Sequence, residues 1–348
     1  MESAIPPHLQ CPRLRHRRVP DDYVPPYLAT VARYRPEVTR VVMAYFGIQH
    51  RADAPAPALA ARALHCIAEA FAAANNGPGH WDRARYVDQA GYLNTITIGY
   101  WDDPAIYAAW FAEHGARWAS GAFDDPGLGL FTEVLQPAAD RFETLFSADV
   151  VEGVAGVSSG LGQPIQEHAY WGGMRDRLAL SQTDGMAPEG VPQVVTEGLH
   201  QRVLPHGNLC LIRSGQDWTG TRGDERRMYT EEVEPVLRAG MDFLQDQGRQ
   251  VDCYANRYMA VVDAKGQPVD KSFGMGWRRS LAALERWAES HPTHVAIFGA
   301  AMKYLGTMGP AAQLKLYHEV TVARAEEQYF KYFNCHPRTG MLGAVTAA

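Results

Sequence analysis

One histidine lies in a segment where an imidazole could act as an acid or a base. In residues 313–322 (QLKLYHEVTV) the even-numbered positions include Leu314, Leu316, His318 and Val320, and the odd-numbered ones are more polar. Because successive side chains of a β-strand point to opposite faces, His318 shares the apolar, inward face. An inward imidazole is most often a hydrogen-bonded core residue. His318 alone therefore does not establish a site.

A second histidine has the same character on a predicted helix. Pro292 suits a first helical turn, and His294 then shares one helix face with Phe298 and Ala301. His291, next to the proline, is better explained as a capping or solvent-facing residue. Two inward histidines, one on a helix and one on a strand, could flank a flat cofactor.

A hydroxyl group accompanies them. On the predicted strand 209–214, Ser214 shares the side of Cys210 and Ile212 and so faces inward. The alternative is that Ser214 is a turn residue at the end of the strand, before Gly215. From spacing alone, these residues support a buried polar site and no more.

Motifs of other enzyme classes are missing from the sequence. It contains no G-x-x-x-x-G-K-[ST], no H-E-x-x-H and no G-x-G-x-x-G behind a strand. Residues 156–160 match G-x-S-x-G, but a hydrolase nucleophile needs a strand before it and a helix after it, and Leu161-Gly162-Gln163-Pro164 follows. We therefore favour a loop here over a hydrolase site.

Composition and charge bound the class of protein. The chain has 348 residues, 46% hydrophobic and 21% charged, as globular proteins have. Its net charge of −6 favours neither nucleic acid nor an anionic membrane as a partner. No apolar stretch approaches the roughly 18 residues of a membrane span, and the opening has no signal-peptide core. Five scattered cysteines fit a reducing compartment, so we expect a cytoplasmic protein.

The order of the predicted elements suggests an arm and two similar α+β halves. We expect an N-terminal arm at 1–34, a first half at 35–150, a long connection at 151–205 and a second half at 206–348. The halves contain predicted strands at 38–49, 94–100, 208–213 and 251–262 and predicted helices at 58–74 and 224–247. Pro235 would either kink the second helix or mark its true start. A local repeat supports the pairing: Trp101 and Trp277 each precede an aromatic helix residue by ten positions.

Several longer motifs resemble those of aldoxime dehydratases, which are haem b enzymes that convert aldoximes to nitriles. The motifs are MESAI at 1–5, RFETL at 141–145, YWGGMRDR at 170–177, IRSGQDW at 212–218, ESHPTH at 289–294, LYHEV at 316–320 and NCHPRTGML at 334–342. The resemblance runs from the first residues to nearly the last. It implies an α+β fold in which two ferredoxin-like halves form an antiparallel β-barrel flanked by helices, as in dye-decolourising peroxidases and chlorite dismutases. It also implies a homodimer.

The same resemblance assigns roles to five residues. The histidine of HPTH, His294, is similar to the axial haem ligand, and the histidine of LYHEV, His318, to the distal acid–base residue. Ser214 corresponds to the partner of the oxime oxygen, and Arg177 and Glu143 to polar support. One departure is the stretch 299–313, which is longer and richer in glycine than the family pattern and leaves open how large a substrate fits.

The implied reaction is R–CH=N–OH to R–C≡N plus water, with ferrous haem bound to the oxime nitrogen and His318 moving the protons. Two alternatives stay open: a haem peroxidase of the same superfamily, and a haem-binding sensor or carrier. A carrier would not need the polar set of His318, Ser214, Arg177 and Glu143. The sequence leaves open whether the preferred aldoxime is aliphatic or aryl.

Overall fold

The structure, a computed structural model, describes residues 1–72, 75–168 and 173–345. Within them, twelve strands form one antiparallel sheet in the order β5-β11-β8-β10-β9-β2-β3-β1-β4-β12-β7-β6. The strands are β1 Val42–Arg51, β2 His80–Val87, β3 Tyr92–Trp101, β4 Gly129–Leu135, β5 Phe142–Phe146, β6 Gln193–Glu197, β7 His200–Leu204, β8 Leu209–Asp217, β9 Cys253–Val262, β10 Pro268–Arg278, β11 Lys315–Ala323 and β12 Gln328–Phe333. The α-helices are α1 Ala58–Ala72, α2 Pro104–Trp110, α3 Ala116–Ala119, α4 Gly173–Arg177, α5 Gly223–Met228, α6 Glu234–Gln247, α7 Leu281–Ser290, α8 Pro292–Met308 and α9 Leu342–Val345.

Two halves repeat one topology. In the first, β1, α1, β2, β3, α2 and β4 follow in that order, and the strands lie side by side as β4-β1-β3-β2. In the second, β8 to β11 lie as β11-β8-β10-β9, with helices in the corresponding connections. This is the ferredoxin-like arrangement, and β2 joins the halves by pairing with β9. Edge-on packing of Tyr45 against Trp277, with ring centroids 6.3 Å apart, shows that the inner faces share one core. The predicted α+β fold of two ferredoxin-like halves is confirmed.

A strand that follows each half in the chain pairs with the sheet of the other half. β5, which follows the first half in the chain, pairs with β11 of the second, and β12, which follows the second half, pairs with β4 of the first. The connection 151–205 contains the β6–β7 hairpin, which extends the sheet beyond β12, and the short helix α4. The sheet therefore ties together segments that are far apart in the sequence.

One of the two predicted helices is observed as predicted where it is described, and the other is interrupted before a proline. The helix predicted at 58–74 begins at Ala58, and its last two predicted residues lie outside the described ones. The helix predicted at 224–247 is interrupted by a π-helical turn at Tyr229–Val233, after which α6 starts with Pro235 in its first turn. Because proline has no N–H to donate to the preceding turn, the wider turn accommodates it at little cost.

The outer face of the second half is covered by helices. Val320 and Ile212 on this face pack against residues of α6, α7 and α8, including Leu244, Trp287 and Ile297. The first half buries its outer face against α1 and α2 in an aromatic cluster around Trp110. Among the described residues, no helix is both long and apolar enough to span a bilayer.

Candidate active site

Glu143, His318 and Ser214 lie on one face of three adjacent strands. His318 of β11 is directly opposite Ser214 of β8, and Glu143 of β5 is opposite Val320, two residues from His318. Since side chains alternate along a strand, all of them point to the helix-covered face. Directly opposed residues have Cβ atoms about 4.5–5.5 Å apart, so the Ser214 hydroxyl and the His318 imidazole are neighbours.

An arginine from the connection completes this group. Arg177, at the end of α4, donates from Nε to Glu143 Oε2 at 2.6 Å and from Nη2 to Glu143 Oε1 at 3.2 Å. Its Nη1 donates to the main-chain oxygen of Glu167 at 2.7 Å, which fixes the third corner of the guanidinium. The side chains of Arg177 and Glu143 are 2% and 1% exposed, so the two charges form a buried ion pair. The first part of the YWGGMRDR motif, residues 170–172, lies outside the described residues.

Two partners of opposite kind meet at one nitrogen of His318. Its Nε2 lies 2.8 Å from Arg177 Nη2, a donor, and 3.1 Å from Glu143 Oε1, an acceptor. When Nε2 is unprotonated it accepts from Arg177, and when it is protonated it donates to Glu143. The site therefore offers a hydrogen-bond partner for either state of this nitrogen, as an acid–base residue requires.

The carboxyl group of Glu143 is held ionised by its neighbours. Burial by itself would raise its pKa, but Arg177 and His318 oppose that effect by charge and hydrogen bonding, and the pKa is lowered overall. Glu143 therefore remains a fixed negative charge beside His318 throughout the range in which an imidazole titrates.

His294 lies in the helix layer that covers the sheet, in the first turn of α8. Pro292 is the first residue of that helix, and the side chain of His291 caps it by accepting from the N–H of Thr293, so the predicted capping role of His291 is confirmed. The Nδ1 of His294 lies 2.9 Å from the carbonyl oxygen of Ala288, to which it donates. This hydrogen bond fixes the tautomer in which Nε2 carries the lone pair.

The surroundings of His294 suit an iron ligand. Burial, as the main cause, lowers its pKa to about 4, so the imidazole is neutral, as metal ligation requires. Its ring packs on Trp287, with centroids 4.4 Å apart. A neutral, oriented imidazole packed on an aromatic ring fits the axial ligand of a haem.

The structure also answers two questions that the sequence left open, one about Ser214 and one about residues 156–160. Ser214 lies inside β8, which continues to Asp217, so it is not a turn residue at the end of a strand. Ser158 of the G-x-S-x-G string follows a 3-10 helix, Gly153–Val157, where a hydrolase would need a strand. The loop interpretation of 156–160 is therefore preferred over the hydrolase one.

Sequence reasoning missed the groups that orient the candidates. The carbonyl oxygens of Ala288 and Glu167 hold His294 and Arg177, and Trp287 supports the ring of His294. Main-chain acceptors leave no residue-type signal. Trp287 was recognised only as part of the local repeat, in which Asp103 and Ser280 cap equivalent helices.

Known proteins are similar to this chain over nearly its full length. The family model of haem-containing dehydratases matches residues 44–341. An aliphatic aldoxime dehydratase from Pseudomonas sp. is 46% identical, covering 98% of each chain, and a phenylacetaldoxime dehydratase from Bacillus sp. strain OxB-1 is 33% identical, covering 94% of each. The crystal structure of an aldoxime dehydratase in complex with butyraldoxime has a TM-score of 0.94 and 42% identity, covering 100% of this chain and 98% of that one. The chain therefore belongs to the haem-containing dehydratases, together with the aldoxime dehydratases that it matches.

Proposed function

We propose that this chain removes water from aldoximes to form nitriles, R–CH=N–OH giving R–C≡N plus H₂O, with haem held by His294. The observation that carries the proposal is the meeting of Arg177 and Glu143 at Nε2 of His318, beside Ser214, on the face that α8 covers. When bound, ferrous haem would supply an electron-rich iron that coordinates the oxime nitrogen and weakens the N–O bond.

His318 moves the protons. The leaving oxygen departs from nitrogen as water only if it is protonated, and the imidazolium of His318 supplies that proton. The neutral imidazole then takes the proton from the aldoxime carbon, which restores the imidazolium. No proton is gained or lost over a turnover, so a single residue can perform both steps. Acid–base help of this kind accelerates reactions by roughly 10²–10⁴.

Ser214, Glu143 and Arg177 position the reactants. Ser214, directly opposite His318, donates a hydrogen bond to the oxime oxygen and holds it near the proton donor. Glu143 stabilises the imidazolium that gives the proton. Arg177 holds the carboxylate in place and supplies a donor to Nε2 whenever that nitrogen is unprotonated.

The preferred substrate class is aliphatic aldoximes. This proposal rests on the relatives, because the aliphatic aldoxime dehydratase is more similar to this chain than the phenylacetaldoxime dehydratase. The test is an anaerobic assay of dithionite-reduced holoenzyme with butyraldoxime and phenylacetaldoxime, following the nitrile by gas chromatography. A higher kcat/KM for butyraldoxime supports the assignment, and a preference for the aryl substrate would overturn it.

The same assay separates the dehydratase from the peroxidase and carrier alternatives. A dehydratase forms nitrile only in the ferrous state, a peroxidase turns over hydrogen peroxide in the ferric state, and a carrier does neither. If no aldoxime of either class gave nitrile with the reduced enzyme, the proposed reaction would be wrong.

We also propose that two copies of the chain associate through the β6–β7 hairpin. β6 is an edge strand on which all five residues are exposed, and the hairpin and its flanks expose Val191, Val194, Val195, Leu199 and Leu204. An exposed apolar edge strand offers unpaired backbone N–H and C=O groups to another chain, and a two-fold axis would let β6 pair with itself. Light scattering on the holoenzyme should give about twice the chain mass, and Val195→Lys should reduce it. A monomeric wild type would refute the proposal.

A further inference from the structure

Arg278 is a buried cation that forms no ion pair with any residue that the structure describes. It is the last residue of β10, is 1% exposed, and within the described chain neither its Nε nor its Nη1 has a hydrogen-bond partner. The acidic side chains of the adjoining elements are engaged by other cations, since Asp252 pairs with Arg286 and Glu285 with Arg175. Because buried polar groups are nearly always hydrogen-bonded, this one requires an explanation.

The groups flanking Arg278 do not neutralise it. Cys210 and Cys253 are its partners on the two adjacent strands, and burial raises the pKa of both thiols, so they remain uncharged. Burial also lowers the pKa of Arg278, but from so high a starting value that the guanidinium stays protonated. A full positive charge therefore lies in the apolar layer between the sheet and α7.

The indole ring of Trp287 contacts both this charge and the candidate iron ligand. The Cζ atom of Arg278 is 4.5 Å from the ring centroid of Trp287, and the rings of Trp287 and His294 are 4.4 Å apart. The electrostatic effect of Arg278 thus reaches the imidazole that would hold the haem.

We propose that Arg278 tunes the haem electrostatically, favouring the ferrous over the ferric state through Trp287 and His294. Reduction adds one electron from an external reductant to ferric iron and lowers the positive charge of the site by one. A fixed positive charge in a poorly screened interior stabilises the less positive state. The inference rests on the proposed function, because that function is what requires ferrous iron.

The energetics of the fold support this assignment. A buried charge without a partner is unfavourable, and replacing such groups by apolar side chains of similar volume is often neutral or stabilising. The contact of Arg278 with the ring of Trp287 offsets only part of this cost. Redox tuning gives the charge a role that packing does not.

The test is a spectroelectrochemical titration of the Soret band in holoenzyme without aldoxime. Arg278→Met and Arg278→Gln should lower the ratio of ferrous to ferric haem at a fixed potential by up to about tenfold, which is about 59 mV for one electron. Arg278→Lys, which keeps the charge, should stay close to the wild type. Arg279→Met is the matched control, because its neighbour Arg279 is exposed and solvent screens it.

The outcomes distinguish this inference from the proposed function. If neither neutral variant lowered the midpoint potential, or if Arg279→Met lowered it equally, Arg278 would have no tuning role, whatever the enzyme does with aldoximes. If the neutral variants lowered the midpoint potential but the wild type formed no nitrile, the tuning role of Arg278 would be supported and the proposed reaction would be refuted. If Arg278→Met unfolded at or above the wild-type temperature, a lowered midpoint potential in that variant could not be attributed to a loss of stability.

Discussion

The two charges beside His318 should act on catalysis in opposite directions. Glu143 attracts an imidazolium at Nε2 and Arg177 repels it, from 3.1 Å and 2.8 Å respectively. We expect Glu143→Gln to move the alkaline limb of the pH–rate profile to lower pH, because the imidazolium loses its carboxylate and keeps the arginine. Arg177→Met should move that limb to higher pH, because the carboxylate then acts unopposed.

The size of the effect follows from these distances. With an effective dielectric constant of about 20, a unit charge at 3.1 Å attracts by roughly 5 kcal/mol and one at 2.8 Å repels by roughly 6 kcal/mol. Removing one of the two charges leaves the other unopposed. After relaxation and water entry, an unopposed neighbour of this kind shifts a titration by about 1–3 pH units. The lowered pKa of Glu143 keeps its contribution present above the ordinary carboxyl range and removes it only as the pH falls through that lowered value.

The assay is kcat/KM for butyraldoxime from pH 5 to 9 with dithionite-reduced enzyme, with the Soret band recorded at each pH. Breaking a buried pair costs about 3–5 kcal/mol of stability, so thermal unfolding is measured in parallel. The double variant Glu143→Gln/Arg177→Met removes both charges and should bring the limb back toward the wild-type position. If both single variants moved the limb in the same direction, or neither moved it, the acid could not be His318 between these two charges.

Three further substitutions test the individual roles. His294→Ala should give haem-poor, inactive protein, and full haem occupancy with an unchanged Soret band would refute its assignment as the ligand. His318→Asn should keep haem and still bind aldoxime to the reduced enzyme while losing about 10²–10⁴ in kcat; loss of oxime binding would instead make it a pocket-lining residue. Ser214→Ala should keep haem and fold and lose about 0.5–1.5 kcal/mol of transition-state stabilisation, more if its partner is charged, and unchanged kinetics with several aldoximes would remove it from the site.

Local sequence patterns predicted where elements lie but not where they end. The strand predicted at 38–49 is observed at Val42–Arg51, because its pairing with β3 extends to Arg51 opposite Tyr92. The ends of a strand depend on its partner, which a local pattern does not contain. The β6–β7 hairpin was missed because its side chains are mostly exposed. A signal was present, namely the β-branched run at 194–196 followed by Gly198, which takes a positive φ of 61°.

Local sequence patterns likewise predicted only some of the residues of the candidate site. Alternation along 313–322 placed His318 on the face of Leu316 and Val320, but that face is the outer, helix-covered one, and Tyr317 and Glu319 of the other set are the residues that point into the interior. Helical spacing placed His294 and Phe298 together in the sequence-based prediction. Neither pattern pointed to Glu143 or Arg177, whose importance came only from the family resemblance. The reason is physical: Arg177 reaches the site from the connection, and its side chain is oriented by a main-chain oxygen of Glu167.

The strand exchange explains how Glu143 comes to be beside His318. Glu143 belongs to β5, which follows the first half in the chain, yet β5 forms the edge of the second half's sheet next to β11. The first half has the equivalent neighbour in β12, which carries Phe330 and Tyr332 into the core and no histidine. The two halves thus share a topology, but the exchanged strand β5 adds the carboxylate of Glu143 beside His318 and Ser214, whereas β12 adds aromatic rings. The exchanged strand β5 is what makes one of two similar halves suited to the chemistry.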